Sequence, residues 1–365
     1  MALKTGGPHL NIDARYPLHS RQPELLGRLI MIKKTLAREY PPAGEAACTR
    51  DLAQRLLNKI VTDNPSGIMR RDAHPKMHGV VKAEFSVDPG LPPHLRVGVF
   101  KEAKTYQAWI RFSNQDGTIG PDSGRDIRGM AVKIMGVPGE KLLELERHEP
   151  TQDFVFISTS VFVTANVAQF DKMITAFTGS TWAKVVFMLG HPRVVWNLAR
   201  SMKRFANPLQ IRYFSSTPYL FGTHAVKYAV TPRVKHADVI PSAPDPDYLR
   251  LAMVNQLRKG DALFDFSVQL QVDAERMPIE DPGKRWSETL SPFCKLATIR
   301  ILRQEFDSVE QRTFGENLSF SPWHSLPEHR PLGGINRARK VVYAVISSFR
   351  HERNKVARLE PSSWD

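Results

Sequence analysis

The stretch that most constrains this chain is Gly333 to Arg353, which reads GGINRARKVVYAVISSFRHER. Its apolar residues recur at helical spacing, and Arg339, Tyr343 and Arg350 fall on one side of the predicted helix. The opposite side, which carries Val341, is also apolar, so the helix should be buried rather than laid on the surface. A tyrosine therefore faces arginines in the interior of the protein.

The pairing of a phenol with a guanidinium has a chemical use. A tyrosine hydroxyl normally titrates at about pH 10, and a permanently charged arginine one helical turn away favours its anionic form. A phenolate suits ferric iron, and tyrosine is one of the few axial ligands of haem. Taken alone, Arg339 followed by Tyr343 is also typical of a partly exposed helix with an amphipathic arginine. A second feature is needed to decide between the two interpretations.

The length and composition of the chain limit the classes of protein to which it can belong. The chain has 365 residues and a hydrophobic fraction of 42%, enough to enclose a cofactor in one large domain or two ordinary ones. Cys48 and Cys294 are far apart and have no metal-ligand spacing, which predicts reduced thiols. No apolar run approaches a membrane span, the N-terminus lacks the apolar core of a signal peptide, and no further domain is expected after Trp364. A cytoplasmic protein is the expectation.

The net charge points to an anionic ligand. The formal charge is +14, a value also typical of proteins that bind nucleic acid or anionic lipid. The basic residues are scattered singly, however, without a block of like charges or a nucleic-acid motif. A solvated surface, together with arginines that neutralise a buried dianionic cofactor, explains the charge more simply. We therefore expect no nucleic-acid partner.

The chain is predicted to be an α+β protein. Residues 1–68 should form a surface arm over residues 1–20 and two leading helices, residues 69–353 the main domain, and residues 354–365 a tail. Strand-like runs rich in Val, Ile and aromatic residues recur through the main domain, and they predict an antiparallel β-barrel or sheet with helices packed outside. These runs are the end of Met69–Val87, then Gln107–Phe112, Met130–Ile134, Phe154–Ser158, Ala225–Val230, Leu263–Val272 and Leu296–Leu302.

Residues 161–207 are predicted to be a helical insert. Phe170, Ile174 and Phe177 recur at helical spacing, and the pattern continues beyond an interruption at Gly190 and Pro192. The second half of the insert is basic, which allows contact with a membrane surface or an amphiphilic substrate. Helices packed on the outside of the sheet are the favoured interpretation.

Three separated pieces of sequence resemble the catalase superfamily. Arg71-Asp-Ala-His74-Pro-Lys76-Met-His-Gly79 has the shape of the catalase distal signature, just ahead of the first strand. Ile110-Arg111-Phe112-Ser113, followed by Arg125-Asp-Ile-Arg128-Gly-Met-Ala-Val-Lys133, is similar to the segment that crosses the haem edge in catalases. Arg339-x-x-x-Tyr343, with Arg350 further on, resembles the catalase proximal-ligand helix.

The resemblance extends from about residue 69 to residue 350, and the small catalase-like haem peroxidases are the most similar group. It implies a catalase-type β-barrel enclosing haem b, with a C-terminal proximal helix, in a homodimer. It also implies roles for individual residues. Tyr343 would bind the iron with Arg339 beside it, and the other cofactor-binding residues would be Arg71, Arg111, Ser113 and Arg350.

His74 is the candidate acid–base group. Heterolysis of a peroxide requires a proton taken from one oxygen and returned to the other, which a neutral imidazole can do. His78, His94 and His224 have no comparable sequence context and are interpreted as structural or surface residues. Asp126 and Arg128 are interpreted as an ion pair of the barrel.

One position departs from the catalase pattern. Catalases place an asparagine just before the strand that corresponds to Phe154–Ser158, where this chain reads Glu149-Pro-Thr-Gln-Asp153. Gln152 and Thr151 are the candidates to replace that amide. The resemblance therefore implies a peroxidase that reduces hydrogen peroxide or organic hydroperoxides with small organic electron donors and has weak catalase activity. Two alternatives stay open: a fatty-acid hydroperoxide isomerase or lyase of the allene oxide synthase type, acting on a lipid hydroperoxide without a reductant, and a non-catalytic haem-binding protein.

Overall fold

A computed structural model of the protein describes residues 34–234 and 237–364. The predicted arm and most of the first leading helix lie outside the described residues, and Leu36, near the end of that predicted helix, lies in a turn. The second leading helix is present as α1, Glu45–Asp63, with Leu52, Leu56 and Ile60 buried along one side. The proposed division of the chain into arm, main domain and tail stays a prediction.

The predicted antiparallel barrel is confirmed. In the described part of the chain, eight strands close into a ring in the order β1-β2-β3-β4-β5-β7-β8-β9, with β9 pairing back to β1, and β6 extends the ring beside β7. The strands are β1 Met77–Val87, β2 Thr105–Asn114, β3 Arg128–Met135, β4 Thr151–Ile157, β5 Tyr213–Phe214, β6 Tyr219–Phe221, β7 His224–Pro232, β8 Ala262–Leu270 and β9 Cys294–Ile301. The seven long strands match the seven predicted runs, whereas β5 and β6 have too few residues to show a period.

Aromatic side chains fill the barrel. Alternate residues of each strand point inward, and Phe85, Phe154 and Phe266, from three different strands, meet there with ring centroids 5.1–6.3 Å apart. Phe100, from the connection between β1 and β2, adds a fourth ring 5.6 Å from Phe266. A barrel of eight strands is just wide enough to be filled by its own side chains. A large ligand must therefore bind outside the barrel.

The predicted outer helices are also present. They are α2 Val167–Thr178, α3 Thr181–Gly190 and α4 Pro192–Ser201 in the predicted helical insert, and the C-terminal helix α7 Gly334–Asn354. Two further helices, α5 Tyr248–Lys259 and α6 Val309–Asn317, were not predicted. Gly190 ends α3 and Pro192 begins α4, at the interruption seen in the sequence. Helices α1, α2 and α7 share a small apolar core that includes Leu52, Val167 and Val342. None of the described helices is long and apolar enough to cross a membrane.

Candidate functional site

Strand alternation along β2 sends polar side chains to the outer face of the barrel. Ile110 and Phe112 belong to the barrel core, so Arg111 and Ser113 lie on the outer face. The segment before β1 and helices α6 and α7 cover this face. Arg111 donates to the His74 carbonyl of that segment, Glu316 of α6 lies 3.9 Å from Arg111, and Arg350 of α7 donates to the Met69 carbonyl at 3.2 Å. The site is therefore formed between the barrel wall and the outer layer.

His74 is held firmly against this wall. Its backbone has φ 64°, in the left-handed region that a non-glycine residue seldom adopts, and its N–H donates to the Gln115 carbonyl at 3.2 Å. Arg111 Nη2 donates to the His74 carbonyl at 2.9 Å, and the ring nitrogen Nδ1 shares a hydrogen bond of 3.0 Å with Ser113 Oγ. A Cβ atom at Gly129 would lie 2.5 Å from Nδ1, so only glycine there leaves room for the ring.

The proton state of His74 suits an acid–base group. Burial lowers its pKa to about 3, and the charges of Arg111 and Arg339 contribute to the decrease. The imidazole is therefore neutral at neutral pH. Ser113 occupies Nδ1, whereas Nε2 has no hydrogen-bond partner within residues 34–234 and 237–364. The ring also keeps some accessible surface, so a small molecule can approach Nε2.

Three arginines converge beside His74 on one carboxylate. Arg71 Nη1 and Arg350 Nη2 donate to Glu316 Oε1 at 3.0 and 2.9 Å, and Arg111 Nη2 lies 3.9 Å from Glu316 Oε2. We call Arg71, Arg111 and Arg350 the arginine cluster. Glu316 reaches it because Gly315 lets α6 approach β1 closely: a Cβ atom at Gly315 would lie 2.7 Å from Met77 Sδ.

The arginine cluster carries more positive charge than Glu316 can neutralise. Burial lowers the pKa of Arg111 well below its ordinary value, and the neighbouring charge of Arg71 lowers it further. Burial and Arg71 likewise lower the pKa of Arg350 to about 10. Arg111 Nε is buried without a hydrogen-bond partner in the described part of the chain. Positive charge and an unused donor in one buried place favour a further anion.

On helix α7, Tyr343 packs with part of its side chain against the small core of α1, α2 and α7. Its hydroxyl has no hydrogen-bond partner among the described residues. Arg339, one turn earlier, donates from Nη1 to Thr217 Oγ1 and to Asn336 Oδ1, both at 3.2 Å, and lies 5.5 Å from the ring centroid of Phe162. Arg339 is thus fixed, whereas the phenol of Tyr343 remains available to a ligand.

A second tyrosine lies close by. Burial raises the pKa of Tyr219 to about 12, although the charge of Arg339 opposes the rise, and the phenol of Tyr343 adds to it. The Tyr219 hydroxyl is fully buried, whereas Tyr343 keeps accessible surface. The charge of Arg339 also lowers the pKa of His74. Helix α7 and His74 are therefore close enough to interact electrostatically.

The structure does not bring Thr151 and Gln152 to His74. Both lie at the beginning of β4, whereas Gly129, against which the His74 ring lies, pairs with Ile157 at the other end of that strand. Six residues of extended strand, or about 20 Å, separate the two places. The prediction that these side chains replace the distal amide is therefore corrected. It was based on their position just before the strand in the sequence, but the opposite end of that strand lies beside His74.

Thr151 and Gln152 instead hold other segments onto the barrel. Thr151 Oγ1 donates to Glu360 Oε2 of the tail at 2.7 Å, and Gln152 Oε1 accepts a hydrogen bond of 2.9 Å from the Leu326 N–H. Glu360 also pairs with the fully buried Lys133 at 2.7 Å. These contacts explain why both side chains have no exposed surface.

The remaining polar residues have structural contacts. His78 Nε2 and Asn114 Oδ1 share a hydrogen bond of 2.6 Å, and burial lowers the pKa of His78 to about 4. Arg128 and Asp126 form the predicted ion pair at 3.5 Å. His94 and His224 are exposed.

Sequence reasoning missed three residues of the site. Asn336 precedes Arg339 by three positions on the same side of α7, a spacing that the sequence does contain. Thr217 lies in a connection between short strands, and Glu316 lies in α6, whose sequence VEQRTFGEN has no apolar period. Neither of these two residues belongs to a recognisable sequence pattern.

The closed antiparallel barrel, the outer helices and the position of α7 define a catalase-like fold. No family model and no curated protein matches the sequence. Among solved structures, a fungal catalase matches with a TM-score of 0.60 and 18% identity over 84% of this chain and 63% of its own. Catalase A from Saccharomyces cerevisiae matches with a TM-score of 0.61 and 18% identity, over 81% and 64%, and a bacterial catalase with 0.61 and 18%, over 96% and 71%. The chain thus spans less than two thirds of the length of the first two.

The chemistry of the site residues allows them to hold haem, the cofactor that the sequence resemblance implies. Haem b carries two carboxylates, and the arginine cluster offers three guanidinium groups that share a single carboxylate. Tyr343 offers a phenol without a hydrogen bond among the described residues, and its anionic form would be a suitable ligand for ferric iron. The donor set therefore matches both the charged edge and the metal of the cofactor.

Proposed function

We propose that this chain is a haem-dependent enzyme that acts on peroxides, with peroxidase activity toward hydrogen peroxide or organic hydroperoxides and weak catalase activity. The observation that carries the proposal is the neutral His74, fixed through Nδ1 and free at Nε2, beside a positively charged cluster. A non-catalytic haem carrier has no need of an imidazole positioned in this way.

In this proposal Tyr343 binds the iron, and the arginine cluster binds the two carboxylates of haem b. Arg339 lies beside Tyr343, where its charge favours an anionic ligand. When bound, haem supplies an iron at which the O–O bond of a peroxide can be cleaved. The barrel wall at Gly129 and Ser113 supplies the rigid support for His74 on the other side.

The proton steps belong to His74. Its Nε2 takes a proton from one oxygen of the bound peroxide and returns it to the other oxygen, which leaves as water or as an alcohol. Ser113 keeps the ring in one orientation, and Arg111 fixes the backbone that carries it. A small organic donor then supplies the electrons of the second half of the reaction.

A lipid hydroperoxide is the second candidate substrate. The proton steps assigned to His74 act on the peroxide bond alone, so they apply equally to a hydroperoxide with an apolar tail. An isomerase or lyase would convert such a hydroperoxide without any reductant, so the requirement for a donor separates the two candidates.

The test is the reaction of haem-reconstituted protein with peroxide. Wild-type protein should bind haem with a high-spin ferric spectrum, react with hydrogen peroxide and return to the starting spectrum on addition of an organic donor. His74→Ala should keep the haem spectrum and slow the reaction with peroxide by about 100-fold or more, since a general acid–base group is lost. The exposed His224 provides the control, and His224→Ala should react like wild type.

The same experiment tests the iron ligand. Tyr343→Phe should lose haem during gel filtration, whereas Tyr219→Phe, which removes the neighbouring phenol, should keep it. Unchanged haem retention and spectrum in Tyr343→Phe would refute the ligand assignment. An unchanged rate in His74→Ala, with any peroxide, would refute the enzymatic role. If only lipid hydroperoxides react, and without a donor, the second candidate replaces the first.

A further inference from the structure

Helices α3 and α4 carry an unusual set of exposed apolar side chains. On α3, Trp182, Val186 and Leu189 follow one another at positions i, i+4 and i+7, and Trp182 and Leu189 are 72% and 78% exposed. On α4, Trp196 is 61% exposed. Seven of the eighteen large exposed apolar residues in the described part of the chain fall within residues 182–202. Clustering of this kind marks an interaction surface.

These side chains are not needed by the core. The inner sides of the two helices are already occupied, since Phe187 of α3 and Val194 of α4 are buried in an apolar cluster with Met173 of α2. The exposed residues point away from that cluster. We call the exposed side of α3 and α4, with Trp182, Leu189 and Trp196, the apolar face.

The surroundings of the apolar face are basic. The sequence contains no aspartate or glutamate between Asp171 and Asp238. Six basic residues lie within residues 172–207, and the guanidinium of Arg200 lies 5.4 Å from the ring centroid of Trp196. The basic residues are Lys172, Lys184, Arg193, Arg200, Lys203 and Arg204. Of these, Arg193 is paired with Asp281 at 2.7 Å.

We propose that the apolar face docks onto the surface of an anionic lipid membrane. Tryptophan and leucine on one side of a helix, with arginine and lysine at its edge, are the features of helices that lie in the lipid–water interface. Tryptophan favours the headgroup level, and basic side chains extend from there to lipid phosphates. A nucleic acid would not use the apolar side chains, and a neutral protein partner would not use the basic ones.

Docking would place lipid close to the outer layer of the site. Helix α2, which precedes the apolar face, packs through Phe170 and Ile174 against the core that also contains Tyr343. A membrane is also a source of the lipid hydroperoxides named above. The docking proposal does not depend on haem or on peroxide chemistry, and the haem-free chain is sufficient to test it.

The test is flotation of the full chain with vesicles. Wild-type protein should bind vesicles of phosphatidylcholine mixed with phosphatidylglycerol, and bind weakly to phosphatidylcholine alone. The double variant Trp182→Ser with Leu189→Ser should bind the anionic vesicles about 10-fold more weakly, since two large apolar side chains are lost. The matched control, Val239→Ser with Val309→Ser, removes exposed apolar residues elsewhere and should bind like wild type.

Charge variants and tryptophan fluorescence provide two further tests of membrane binding. Arg200→Gln with Lys203→Gln should weaken binding about 10-fold and reduce its salt dependence, whereas Lys101→Gln with Lys259→Gln should change it little. Vesicles should shift tryptophan emission to shorter wavelength, and Trp182→Phe with Trp196→Phe should abolish the shift.

Equal binding to neutral vesicles, or no effect of the apolar variants, would overturn the proposal. So would a change from dimer to monomer in those variants without vesicles, because the face would then join two copies of the chain.

Discussion

The two ends of helix α7 carry opposite arrangements of the same charged groups. Near its start, Arg337 is surrounded by three carboxylates and donates to Glu45 Oε1 at 2.6 Å, Glu39 Oε1 at 2.5 Å and Glu280 Oε2 at 2.7 Å. Near its end, Glu316 is surrounded by the three guanidinium groups of the arginine cluster. Each arrangement also suits the helix dipole, which favours anions at the start and cations at the end.

The two arrangements differ in how completely their charges are paired. Burial opposes a charged Arg337, yet its hydrogen bonds to the Glu45 and Glu280 carboxylates outweigh burial and raise the pKa of Arg337. In the arginine cluster the pKa of Arg111 and that of Arg350 are both lowered, and Arg111 Nε is left without a partner among the described residues. The group around Arg337 is complete and stabilises the fold, whereas the arginine cluster is suited to hold a ligand.

The largest expected effect is the difference between Arg337→Met and Arg111→Met in the free energy of unfolding of the haem-free protein. Arg337→Met leaves three carboxylates without their shared cation and should lower the free energy of unfolding by about 3 kcal/mol. Arg111→Met loses one hydrogen bond but relieves repulsion, so its change should stay within about 1 kcal/mol. Urea unfolding of both variants, with the m-value checked, measures the difference. Equal destabilisation by the two would contradict the comparison.

A smaller effect is expected from Glu316→Gln. Removal of the carboxylate leaves the three arginines unpaired, so the haem-free protein should become less stable by about 2 kcal/mol. The same change removes a competitor of the cofactor carboxylates, so haem should bind about 10-fold more tightly. Haem titration followed by absorbance measures this. Glu310→Gln, in the same helix but exposed, is the control and should alter neither quantity. Weaker haem binding in Glu316→Gln would show that the carboxylate supports the cofactor instead of competing with it.

The smallest effect is the change that Arg111→Met makes to the pH dependence of stability produced by His74. Its pKa is lowered from 6.5 to about 3, by burial first and by Arg111 next, so the unfolded chain binds a proton that the folded chain does not between these values. Stability should therefore fall as the pH falls below 6.5. In Arg111→Met the pKa of His74 should rise toward 6.5, and the acid-induced loss should be smaller. Unfolding measured from pH 7 to pH 4 tests this, with the exposed Arg300 changed to Met as control.

Long periodic segments were predictable from the sequence, and contacts between distant polar residues were not. The strand around Arg111 and the helix around Tyr343 are long enough to show their periods, and both are confirmed as elements of the fold. Helix α5 is not among the predicted helices, although Leu249, Met253 and Leu257 follow a helical spacing. Gln152 was misplaced because distance along the sequence does not reveal which end of a strand faces the site. Glu316 depends on the close approach of α6 at Gly315, which no local pattern announces.

The aromatic filling of the barrel has a consequence for how the proposed cofactor would be released and bound again. Phe85, Phe100, Phe154 and Phe266 pack against one another and fill the barrel, so the barrel is a self-sufficient unit of structure. Release of haem should loosen only the outer layer, and hydrogen exchange should remain slow in the barrel strands while it accelerates in α6 and α7. Exchange of the proposed haem would then be a local and reversible opening rather than a cycle of unfolding and refolding.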